Sequence, residues 1–86
     1  MPVISTFYGI IIRMYINDHN PPHFHAEYAG VQAIYRIQTL DVQEGGLPTR
    51  AHALVNEWAS VHRNELMDNW QRLHSSQTAQ KIPPLH

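Results

Sequence analysis

His23-Phe24-His25-Ala26-Glu27-Tyr28-Ala29-Gly30-Val31-Gln32-Ala33-Ile34-Tyr35-Arg36-Ile37 is the stretch that decides the fold. Polar and apolar residues alternate on both sides of Ala29-Gly30, which is the period of a half-buried strand. Ala29-Gly30 is a two-residue turn whose glycine supplies positive φ. A hairpin about that turn sets Tyr28 against Val31, Glu27 against Gln32, His25 against Ile34 and His23 against Arg36. Residues opposed in an antiparallel pair share a face. One face therefore carries His23, His25, Glu27, Gln32, Ile34 and Arg36. The other carries Phe24, Ala26, Tyr28, Val31, Ala33, Tyr35 and Ile37, and is the natural core. A slip of one residue would exchange the two faces.

Upstream, Val3 to Phe7 is a short candidate strand, and Gly9 marks a turn before a second strand, Ile10 to Ile16. That strand is apolar on both sides except at Arg13, so it belongs in the middle of a sheet. A charge there needs a carboxylate partner or an exposed anion site. Downstream, Leu40 to Val42 reads as a brief further strand and Glu44-Gly45-Gly46 as a flexible break. Pro48 suits the first turn of a helix. Thr49 to Ser75 holds no proline or glycine. Ala51, Leu54, Val55, Trp58, His62, Leu66, Trp70 and Leu73 make one stripe at helical spacing. A single helix of about 26 residues would be about 39 Å long, which is long for so small a domain, and a kink or break near Val61–Asn64 would give two shorter helices instead. Ser75 to Lys81 is a polar connector, and Ile82-Pro83-Pro84-Leu85 is an apolar tail able to pack back. The expected class is α+β: an antiparallel sheet of four to five short strands followed by one long or two shorter C-terminal helices. The sheet region is about 2–43, the helical region about 48–75 and the tail 76–86.

With 86 residues the chain fits one domain. So small a core makes a homodimer or a protein partner a reasonable source of stability. The chain is 43% hydrophobic and 15% charged, which excludes a disordered class. It has no cysteine, so disulfides and thiolate metal sites are excluded. No signal peptide is apparent, and the apolar run Gly9 to Ile12 is far too short to span a bilayer. A cytoplasmic location is the expectation. Net charge is −1 and the pI about 6.6, so no long-range attraction to nucleic acid is expected at neutral pH. Any RNA or phosphate contact must come from a local patch.

That patch is Asn17-Asp18-His19-Asn20-Pro21-Pro22-His23-Phe24-His25-Ala26-Glu27. Two prolines stiffen the loop that leads into the strand. Three readings compete. In the first, His19, His23 and His25 offer imidazole nitrogens to zinc or another divalent metal, leaving a position open or filled by Glu27. In the second, no metal is needed: His23 and His25 act as base and acid on RNA, Arg13 or Arg36 steadies the phosphorane charge, His19 is the next candidate, and Tyr8 or Tyr15 orients the substrate. In the third, the histidines satisfy backbone carbonyls, Asp18 caps the loop, and the surface is a docking face. The positive charge of Arg13 and Arg36 tips the reading toward the metal-free nuclease. Trp58 and Trp70 read as core, His52 and His74 as solvated, and His62 as a satisfied buried histidine.

The same motif resembles the small bacterial "domain of unknown function 4160" family. The resemblance runs through Phe7-Tyr8-Gly9, Ile12-Arg13-Met14-Tyr15, Asn17-Asp18-His19, Pro21-Pro22-His23-Phe24-His25-Ala26 and Tyr28. It continues in Gly46-Leu47-Pro48, Glu57-Trp58, His62-Arg63, Glu65-Leu66 and Asn69-Trp70. The chain departs from the pattern at Tyr35 and Arg36, where relatives often carry a smaller apolar residue and an acidic one. Members are often encoded beside another small protein, as in toxin–antitoxin pairs. The resemblance thus implies a toxin-like protein with a small antitoxin-like partner.

Overall fold

The computed structural model describes residues 3–86; residues 1 and 2, the latter counted at the head of the expected sheet region, lie outside the described residues. The strands are β1 (Val3–Phe7), β2 (Ile10–Arg13), β3 (His23–Tyr28), β4 (Val31–Arg36) and β5 (Val42–Gly45), followed by helices α1 (Thr49–Val61) and α2 (Arg63–Leu73). The sheet is an antiparallel meander in the order β1-β2-β3-β4-β5. The fold is therefore α+β, as the alternation implied.

The hairpin register is the expected one, from Tyr28↔Val31 through His25↔Ile34 to His23↔Arg36. Phe24, Ala26, Ala33, Tyr35 and Ile37 are buried beneath the helices with Ile10, Ile12, Val55, Trp58 and Leu66. Phe24 stacks on Tyr35 with ring centroids 5.5 Å apart and meets Trp58 edge-on. Val31, sorted to the core face, is 44% exposed, because at the hairpin tip there is no helix left to cover it.

β2 stops three residues short of the expected Ile16. The Asp18 amide donates to the Tyr15 carbonyl, so the chain is already turning, and Ile16 is exposed. The last strand is shifted too. Leu40 has φ 63 and its amide donates to the Arg36 carbonyl, so Leu40 is in the turn and pairing starts at Val42. Glu44 and Gly45 thus belong to β5 rather than to a flexible break. At Gly45, φ is 74 and a Cβ would stand 2.4 Å from the Gln32 carbonyl oxygen, so only glycine fits there.

The helical stripe breaks at His62, inside the expected window, with φ −108 and ψ 22. The His62 ring is half-buried and pairs with Glu65, while Arg63 Nε donates to the Ile37 carbonyl. These ties hold the corner without glycine or proline. The tail returns as anticipated. Buried Asn69 mimics a strand: its Nδ2 donates to the Gln80 carbonyl and its Oδ1 accepts from the Gln80 amide, both at 2.8 Å. The Ile82 amide donates to the Ile4 carbonyl, and Trp58 Nε1 donates to the Pro83 carbonyl. The tail therefore lines part of the β1 edge and buries Ile82.

Candidate metal centre

His23 and His25 lie on the face of β3 opposite Phe24 and Ala26, and α2 reaches that side at the start of the strand through Trp70 and His74. His23 opens the strand at 6% exposure, wedged against Trp70 of α2 with centroids 5.1 Å apart. His25 is half-buried, with the Tyr15 ring edge-on at 4.6 Å. The loop from Asn17 to Pro22 folds back so that one oxygen, Asp18 Oδ2, lies 3.0 Å from His25 Nε2 and 3.1 Å from His23 Nε2. The three ligand-type atoms lie within 4.8 Å of one another.

The second nitrogen of His23 defines what this cluster can do. His23 Nδ1 lies 2.8 Å from the Pro21 carbonyl oxygen. A carbonyl only accepts, so Nδ1 carries the proton. A neutral His23 then turns a bare Nε2 lone pair toward a carboxylate oxygen, acceptor against acceptor. A proton shared by the two atoms relieves that contact, and so does a cation bound by both. Donation of the far ring nitrogen to a carbonyl is also how a metal-binding histidine is commonly oriented. With metal–ligand bonds of about 2.1 Å, neighbouring ligand atoms around a tetrahedral ion lie about 3.4 Å apart. The two Asp18 contacts are somewhat shorter than that spacing and all three ligand atoms lie within 4.8 Å of one another, so the residue types and their grouping fit a zinc-type ion.

His74 anchors the loop from behind. Its Nε2 donates to the Asp18 carbonyl at 2.7 Å and its Nδ1 to the Trp70 carbonyl at 2.8 Å. Both contacts, the Asp18 carbonyl first, raise its pKa above the usual histidine value. The C-terminal end of α2 favours the same cation. His74 is exposed, as expected of a solvated residue, yet it ties helix to loop.

The candidates named from sequence separate into groups. His23 and His25 come together. His19 does not: it is exposed and outside the cluster, and its neighbour Asp18 takes its place. Glu27 is also outside it, because Arg13 Nη1 binds Glu27 Oε1 at 2.6 Å. Arg13 faces His25 across β2–β3, and Arg36 faces His23 across β3–β4. Arg36 Nη1 is held by Asp41 Oδ2 at 2.5 Å. The Thr39 hydroxyl first, then the Arg36 guanidinium, keep the Asp41 carboxyl below the usual range against some desolvation. Tyr15 braces His25. Tyr8 is remote, 59% exposed in the β1–β2 turn, where it lines a hollow of about 280 Å³ with Tyr28, Leu54 and Leu85. His52 is not merely solvated, since its Nδ1 shares a hydrogen bond of 2.9 Å with the buried Tyr35 hydroxyl.

Asp18 joins this cluster, where the sequence pointed only to a cap for the loop. Its position five residues before His23, across two prolines, was the available signal. The choice between Asp18 and His19 depends on the direction of the turn begun at Tyr15, which no local pattern encodes.

No curated protein and no solved structure matches the chain. The sequence pattern of the family described as domain of unknown function (DUF4160) matches residues 9–71, which take in β2 to β5, α1 and most of α2 together with the whole histidine motif. The chain belongs to the DUF4160 family.

Proposed function

We propose that the chain is a divalent-metal-dependent hydrolase whose ion, of the zinc type, is held by Asp18, His23 and His25. The observation that carries this reading is the His23 ring, fixed by the Pro21 carbonyl so that its other nitrogen meets the Asp18 carboxylate. Three protein ligands on a half-open face leave a coordination position for water or substrate, as catalytic zinc sites do. A bound ion supplies a Lewis acid there, able to bring the pKa of a coordinated water to about 7. The protein's part is to fix the ligands. Pro21 sets the His23 tautomer, Trp70 and Tyr15 brace the two rings, and His74 holds the backbone of Asp18.

The metal-independent ribonuclease reading draws less support. It needs His23 and His25 free to act as acid and base on a substrate, and the Nε2 atoms of both rings lie against the Asp18 carboxylate. Placement in a toxin–antitoxin-type pair rests on the company relatives keep. Induction of the gene alone in bacteria tests it: growth arrest relieved by the neighbouring gene supports it, and normal growth with abundant soluble protein argues against it.

The hydrolase reading is tested with protein incubated with zinc, dialysed and analysed for metal. Retention of a single ion per chain is expected, with loss in Asp18→Asn and His25→Ala. Cleavage of nitrophenyl esters should stop with a chelator and return with zinc. Absence of retained zinc, or retention unchanged in Asp18→Asn, contradicts the reading.

A further inference from the structure

Resting on that metal reading, we propose that the site binds a terminal phosphate group, a phosphate monoester, with Arg13 and Arg36 as its two lateral clamps. The register places them. Arg13 is directly opposite His25 on one side of β3, and Arg36 directly opposite His23 on the other. Opposed residues on one face have Cβ atoms about 5 Å apart, and an arginine side chain reaches farther than that. An arginine thus stands on each side of the two histidines, within side-chain reach of the open side of an ion that they hold.

Their carboxylates hold these groups rather than consume them. Each guanidinium commits Nη1 to a carboxylate, Arg13 to Glu27 and Arg36 to Asp41. A guanidinium has five N–H donors in a fixed fork, which leaves Nε and Nη2 for an anion. A tethered arginine also loses less freedom when it binds.

Charge makes the ion the switch for this binding. Without it, each guanidinium is matched by its own carboxylate and Asp18 adds a further negative charge, so an anion gains nothing. A divalent ion adds two positive charges at the centre, and the site then attracts anions. Geometry selects among them. A monoester phosphate has three free oxygens, one for the ion and one for each arginine. A diester has two, and a carboxylate lies flat and meets the ion and one side only.

Calorimetric titration of the zinc-loaded and zinc-free protein with phenyl phosphate, dimethyl phosphate and acetate tests this. Phenyl phosphate is expected to bind the zinc-loaded protein at least roughly tenfold more tightly than the other two, and to weaken roughly tenfold in Arg13→Gln and again in Arg36→Gln. Zinc retention by those variants, measured alongside, shows that the ion site is intact. Zinc binding with no preference for the monoester, or a preference that survives both substitutions, overturns the clamp while leaving the metal reading in place. Phosphate binding of equal strength without zinc overturns it as well. Failure to bind zinc removes both.

Discussion

The two faces of β3 differ in what holds them. On one, Phe24 and Ala26 are wholly buried, and Phe24 stacks on Tyr35 and meets Trp58 edge-on. On the other, His25 and Glu27 are half-buried and are held by Asp18 and Arg13. The first face is fixed by apolar area and close packing, which tolerate no change of volume. The second is fixed by pairings in which one polar group can be exchanged for another at small cost. Stability should reside on one face and ligand chemistry on the other, on the same six residues of chain.

The largest effect should come from the buried face. Phe24→Ala is expected to cost about 3–5 kcal/mol, enough to unfold much of a domain this small, as read by urea denaturation. The ion should produce the next largest. At a zinc concentration one hundredfold above Kd, the native state gains about 2.7 kcal/mol. A matching rise in Tm is expected for the wild type and not for Asp18→Asn. A similar rise in Asp18→Asn would mean that zinc binds elsewhere and would erase the contrast between the faces.

How far the contrast was legible in the sequence depends on the range of the signal. The hairpin register came from alternation and a two-residue turn, both local, and every pair from Tyr28↔Val31 to His23↔Arg36 is as read. The helix break was anticipated from length alone, and its residue, His62, is set by contacts to Glu65 and by the tie from Arg63 to Ile37. Asp18 was legible only as a loop residue. Its role as the shared oxygen depends on a backbone turned at Tyr15 and tied to His74, 56 residues away. The pairing of Arg36 was missed because Asp41 comes back to it through a turn at Leu40 with left-handed φ.

Two smaller effects sharpen the comparison. Burial raises the Tyr35 phenol pKa above its usual 10.0. Ionisation is then easier in the unfolded chain, so this share of stability is intact below pH 10 and falls as pH rises toward the folded value. Tyr35→Phe should lose about 1 kcal/mol at neutral pH with its bond to His52, and should abolish this alkaline decline in denaturation curves. Glu27→Gln, on the open face, should change stability by less than about 1 kcal/mol. A larger loss would show that the open face also carries the fold.

The most direct test of the metal centre is a long-range ¹H–¹⁵N spectrum of the histidine rings, recorded with and without zinc. Zinc should shift the Nε2 signals of His23 and His25 together, while His23 keeps its proton on Nδ1 toward the Pro21 carbonyl. Shifts at His19 in place of His25, or a His23 ring carrying its proton on Nε2 in the presence of zinc, would contradict the metal centre.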